Sequence, residues 1–134
     1  MKKLGAILYF TRQRNEDLMR AYRFHLHNSS HIHLPAIYRR VAQTPAARFW
    51  VSEERAAIII SAMEAGRPLP KMRPNKKEMF EEIHRRYLIL KEQFPEKTLP
   101  SLVAEVVCQP APKFYLTPKT VKEFICRIKT GFYK

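Results

Sequence analysis

Apolar side chains recur along this chain at helical spacing. Leu18, Tyr22 and Leu26 stand four apart, and Phe80, Ile83, Tyr87, Leu90 and Phe94 follow steps of three or four. Leu34, Ile37 and Val41 form a second stripe, matched by Leu99, Leu102 and Val106. Ala56, Ile59, Ile60 and Met63 form a third, matched by Val121, Phe124, Ile125 and Ile128. Each set covers one face of a helix with 3.6 residues per turn. No segment sustains the two-residue alternation of a half-buried strand, so the pattern predicts an all-α protein. The boundaries agree. Pro35 and Pro100 suit first turns, and Ser52 and Thr117 suit N-caps, because a hydroxyl can accept an orphan backbone N–H. Gly66 and Gly131 can end the last helices in a left-handed conformation.

The stripes come in pairs because the chain repeats itself. Sliding it by 65 lays residues 11–66 on 76–131 without a gap, and eleven of the 56 pairs are identical. They include Tyr22/Tyr87, Pro45/Pro110 and Phe49/Phe114. Substitutions keep chemical type: Arg48 becomes Lys113, Trp50 becomes Tyr115, Ser52 becomes Thr117. The expected organisation is an internal duplication, with one three-helix repeat at 1–66, a basic, proline-rich linker at 67–75, and a second three-helix repeat at 76–134. A unit of about 55 residues has a marginal core, so the two units are expected to pack together.

Between the second and third stripes lies PAARFWVS, Pro45 to Ser52, echoed by PAPKFYLT, Pro110 to Thr117. With Thr44 as cap and Pro45 in the first turn, a short helix is expected from Pro45 to Val51. In that order of elements the chain resembles the helix-turn-helix of small bacterial repressors. The resemblance covers about twenty residues in each repeat and rests on Ile37, Val41, Ala42, Thr44, Phe49, Trp50 and Ser52. In the copy these are Leu102, Val106, Val107, Gln109, Phe114, Tyr115 and Thr117. It implies that Arg48, Trp50, Lys113 and Tyr115 face DNA, where a guanidinium can bond guanine O6 and N7 or a phosphate. Two departures are the missing turn glycine and the short interval from Phe49 to Ser52. A structural use of the same residues stands beside this one: Phe49 and Phe114 as core plugs, with Arg48 and Lys113 stacked on Trp50 and Tyr115.

Charge strengthens the DNA expectation. The formal net charge is +13, a balance that suits a polyanion. Arg67, Lys71, Arg73, Lys76 and Lys77 are five cations without an intervening acid. Together with Arg39, Arg40, Arg48, Trp50, Lys113, Tyr115 and Lys119 they form the expected nucleic-acid-binding set. Double-stranded DNA is the expected partner of a small regulatory or accessory factor, with RNA or a protein partner as alternatives.

Other chemistry finds little footing. His25, His27, His31 and His33 could in principle hold a metal ion, but the repeat places Leu90, Glu92, Glu96 and Thr98 there, so no metal site is expected. Three glycines leave no phosphate-cradling loop, and no nucleophile motif stands out; neither enzymatic activity nor a cofactor is expected. Glu16 with Arg20 and Glu81 with Arg85 are expected helix pairs. Cys108 and Cys126 have no short-spaced partner and are expected to be reduced and core-facing, as in a cytoplasmic protein. The apolar run Leu4–Phe10 is too short to span a bilayer and lacks a cleavage site, so neither a targeting segment nor a membrane span is expected.

Overall fold

A computed structural model describes residues 2–131, with side chains from residue 9 onward. Among these residues there are six α-helices and no β-strand: α1 Lys2–His27, α2 Leu34–Ala42, α3 Glu53–Ala65, α4 Pro74–Gln93, α5 Leu99–Val107 and α6 Pro118–Lys129. α2 and α5 start 65 residues apart, the offset of the expected repeat. α1 begins far upstream of its first predicted stripe, and the apolar run near the N-terminus belongs to its backbone. No helix among the described residues is long and apolar enough to cross a membrane.

The helix ends follow local chemistry. The Ser52 hydroxyl accepts the Arg55 N–H at 3.1 Å, and Thr117 accepts the Thr120 N–H at 3.2 Å. Thr98 does the same for Ser101 at 3.4 Å, a cap that the aligned His33 does not reproduce. Such a bond satisfies one of the four orphan donors at a helix start and adds about 1 kcal/mol. At the end of α3, Gly66 takes φ +68, its N–H bonds Met63 O, and the Arg67 N–H bonds Ala62 O at 2.9 Å. That pair of reverse bonds is a Schellman stop, which requires the left-handed residue that glycine supplies without a Cβ clash.

The helices do not group as sequential halves. The first compact unit runs to Ala46 and resumes at Pro112; the second is the continuous stretch Ala47–Ala111. In the first, α1, α2 and α6 pack on one another; in the second, α3, α4 and α5 do. The expected division at 1–66 and 76–134 therefore does not describe the packing. Each unit holds two helices from one expected repeat and the third helix from the other. The breaks at 46/47 and 111/112 are themselves 65 residues apart. Periodicity fixes which face of a helix is apolar but not which helix will cover it, because burial is non-directional.

In the first unit the core is Leu18, Ala21 and Tyr22 of α1, Ile37, Tyr38, Val41 and Ala42 of α2, and Val121 and Ile125 of α6. In the second it is Met79, Phe80, Ile83 and Tyr87 of α4, Leu102, Val103, Val106 and Val107 of α5, and Ala56, Ile59 and Ile60 of α3. These positions, singly or as adjacent pairs, recur every three or four residues, and each large aliphatic chain contributes about 1.5–3 kcal/mol by leaving water. Several stripe members at the helix ends are only half-buried, and two are exposed: Leu34 at the start of α2 and Phe94, the residue that closes α4. The acidic pairs shift by one residue. Arg20 bonds Asp17 at 2.6 Å and Arg85 bonds Glu82 at 2.7 Å, rather than Glu16 and Glu81.

Candidate nucleic-acid interface

The segment 43–52 contains no helix, so the short recognition helix expected from Pro45 to Val51 is not formed. Its backbone partners explain why. The Phe49 N–H donates to Val107 O at 3.0 Å in α5, and the Val51 N–H donates to Phe49 O at 2.9 Å. Ala46, Phe49 and Val51 are buried. A helix would carry Val51 off the face shared by Ala46 and Phe49, whereas this bent, non-helical path buries all three. The copy, Pro110 to Thr117, is also non-helical, with Ala111, Phe114 and Tyr115 buried.

Arg48 serves this path. Its Nε donates to Phe49 O and its Nη2 to Val51 O, both at 3.0 Å, and its guanidinium carbon lies 5.3 Å from the Trp50 ring centroid. The guanidinium thus satisfies two carbonyls of a segment that forms no helical hydrogen bonds of its own. Lys113 keeps the ring contact, with Nζ 5.4 Å from the Tyr115 centroid. Tyr115 itself is only 6% exposed and holds φ +58, a left-handed conformation that is costly for an aromatic residue. The expectation that Tyr115 faces a ligand is overturned by this burial. Arg48, Trp50 and Lys113 are half-buried, and Phe49 and Phe114 are core residues.

The proline that opens each segment is held by a guanidinium from the long helix of its own unit. Arg20 donates to Pro45 O at 3.2 Å; Arg86 donates to Pro110 O at 2.9 Å and to Gln109 at 3.2 Å. Arg86 also bonds Glu82 at 2.7 Å and lies 4.9 Å from the Phe49 ring centroid. Sequence comparison hides this role, since Arg86 aligns with Ala21 and the neighbouring Arg20 acts in the other unit. Glu82, receiving hydrogen bonds from Arg85 and then Arg86, is held at about 2, well below the ordinary carboxylate value.

The remaining cations differ in kind. Arg39 and Arg40 occupy the last turn of α2, where positive charge complements the helix dipole. Arg40 also donates to Ser29 at 3.3 Å. In the second unit, Arg67, Lys71 and Arg73 line a non-helical segment and are all exposed. Arg67 donates to the Ser61 hydroxyl at 3.2 Å. Pro68, Pro70 and Pro74 stiffen this segment, and α4 opens directly from it. Lys76 and Lys77 stand in the first turn of α4, which carries no acid, and Arg73 gives that helix no side-chain cap. Lys119 occupies the same kind of place in α6. Cations at a helix start oppose its dipole, by some 0.3–1 kcal/mol each, so these lysines do not serve helix stability. Among the described residues Lys71, Arg73, Lys76 and Lys77 form no ion pair.

Of the histidines, His25 is engaged. Its Nε2 lies 2.6 Å from the Thr44 hydroxyl, which itself donates to Arg40 O at 2.7 Å, so the ring nitrogen is the donor. Burial and then the Arg40 charge push this imidazole below its ordinary value. His27, His31 and His33 are exposed, and among the described residues no three His, Cys, Asp or Glu side chains come together in a way that could hold a metal ion. Cys108 and Cys126 are free and exposed rather than core-facing. Cys108 closes α5 just past its buried stripe, and Cys126 lies one helical step off the buried Ile125.

Compared with known protein families, with curated proteins and with solved structures, the chain matches none of them.

Proposed function

We propose that this protein is a small non-enzymatic DNA-binding factor that grips the phosphate backbone through the segment Arg67–Lys77. The carrying observation is that exposed run of five cations, free of acid, which passes from a proline-stiffened strap into the first turn of α4. Seven extended residues, 67–73, reach about 20 Å at ~3.1 Å each. Duplex DNA presents one negative charge per ~1.7 Å of axis, a ligand dense enough to meet every cation on such a strap. The net charge of +13 adds long-range attraction. Contacts of this kind position a protein on DNA without reading sequence, which suits an accessory role. Arg48 and Lys113 take a structural part in this reading, because their side chains are half-buried against the aromatic residues beside them.

Fluorescence anisotropy with a labelled duplex over a salt series tests the proposal. Binding is expected to weaken steeply with salt. Lys76→Ala with Lys77→Ala should flatten the log–log slope by about 1.8, at ~0.9 for each phosphate no longer neutralised. An unchanged slope, or a wild-type protein that ignores duplex DNA at low salt, would refute it. A protein-partner reading has one observation of its own: a shallow apolar groove lined by Ala57, Ile58, Leu99 and Pro100 with Arg67 at its rim.

A further inference from the structure

We infer that the opposite charges of Glu64 and Lys129 assign the third helices to their units. They hold α3 on α4 and α5, and α6 on α1 and α2, against the alternative in which each third helix packs within its own sequence repeat. The two residues are 65 apart, in the last turns of α3 and α6. Neighbouring pairs such as Ala56/Val121 and Ile60/Ile125 keep their apolar character and are buried in both units. At 64 and 129 the charge is reversed instead.

Each charge meets matching chemistry where it is. Lys129 Nζ donates to the Tyr22 hydroxyl at 2.9 Å and lies 4.7 Å from the Tyr22 ring centroid, whose negative face attracts an ammonium. Glu64 pairs with His84 Nε2 at 2.9 Å. The His84 ring stacks on Tyr87, the residue that corresponds to Tyr22. His84 itself corresponds to Met19, so the first unit has no imidazole at that place.

Exchanging α3 and α6 between the units would break the Glu64–His84 pair and set Lys129 beside that imidazole. Glu64 would lose the imidazole and meet the Met19 thioether, which cannot donate to it, leaving the Tyr22 hydroxyl as its one donor there. Lys129 would keep a tyrosine, Tyr87, but would face His84 in place of Met19, an imidazole that in its own unit pairs with a carboxylate. A second pair of positions acts in the same sense. The Arg14 guanidinium carbon lies 4.2 Å from the Phe124 ring centroid. The corresponding residues of the second unit, Met79 and Ile59, are both buried and apolar. After exchange Arg14 would face Ile59 and lose its ring. The apolar stripes are nearly interchangeable and cannot choose a partner; the charged positions can.

The full-length protein, isotopically labelled, tests this by nuclear Overhauser contacts to the Tyr22 ring. In the wild type these contacts are expected with the side chain of Lys129. In the double variant Glu64→Lys with Lys129→Glu they are expected to move to position 64, with the ratio of the two arrangements shifted roughly tenfold or more. Tyr22 contacts that stay with position 129 alone in the folded double variant overturn the inference. Should that variant fail to fold, Glu64→Gln with Lys129→Gln removes both charges. A second set of Tyr22 resonances, in contact with position 64, is then expected; a single set in contact with position 129 overturns it.

Discussion

Replacing Glu82 with Gln removes the charge at the centre of the guanidinium network while keeping the side chain's shape. Arg85 reaches this carboxylate through two N–H groups, at 2.9 and 2.7 Å, and Arg86 through one at 2.7 Å. Those bonds hold Glu82 at about 2 in the folded protein against 4.5 ordinarily. Between these values the unfolded chain binds a proton that the folded chain refuses, so stability must fall as pH falls through that window. The linkage ceiling is about 3 kcal/mol at pH 7, more than half of which is gone by pH 3. The side chain is 21% exposed, and water weakens such pairs, so about 1 kcal/mol is the expected size at neutral pH. Urea unfolding of wild type and Glu82→Gln at pH 7 and pH 3 measures it. The gap between them should be about 1 kcal/mol at pH 7 and less than half of that at pH 3. An equal gap at both values, or one that widens in acid, would refute the reasoning.

Two more perturbations probe the backbone. Tyr115→Gly and Tyr115→Ala both delete a buried ring, but only glycine sits freely at φ +58. The glycine variant should therefore be the more stable by about 1 kcal/mol in thermal or urea unfolding, and equal stabilities would count against strain at this site. Ser52→Ala and Thr117→Ala should each cost about 1 kcal/mol, and the losses should add, since the two hydroxyls cap helices of different units. A double variant no weaker than either single one would contradict that.

What the chain discloses before folding is mostly local. Pro35 and Pro100 in first turns, the Ser52 and Thr117 hydroxyls and the Gly66 stop are each decided within a few residues, so sequence reading finds them. The path of Pro45–Ser52 is decided elsewhere, by Val107 O receiving the Phe49 N–H and by the need to bury Ala46, Phe49 and Val51 together. No local propensity carries that information. For the aromatic–cation pairs the residue types allow both a DNA-facing and a structural use; burial of Tyr115 and the carbonyl bonds of Arg48 favour the structural one. The linker cations survive as candidates for the opposite reason. Three prolines and no apolar stripe leave that segment nothing to bury. The pairing of helices was the least accessible feature, since Glu64, Lys129 and His84 reveal their use only when set beside one another.

The grouping of α6 with α1 and α2 bears on how the polypeptide is made. At ~5–20 residues per second a ribosome needs roughly 3–13 s to add the 65 residues that separate Ala46 from Pro112. Throughout that interval the nascent α1 and α2 lack the helix that covers them, while the intervening stretch can already close on itself. Synthesis should thus finish the inserted module first and the outer one last. Release at residue 66 would leave two orphaned helices and a third deprived of both its neighbours.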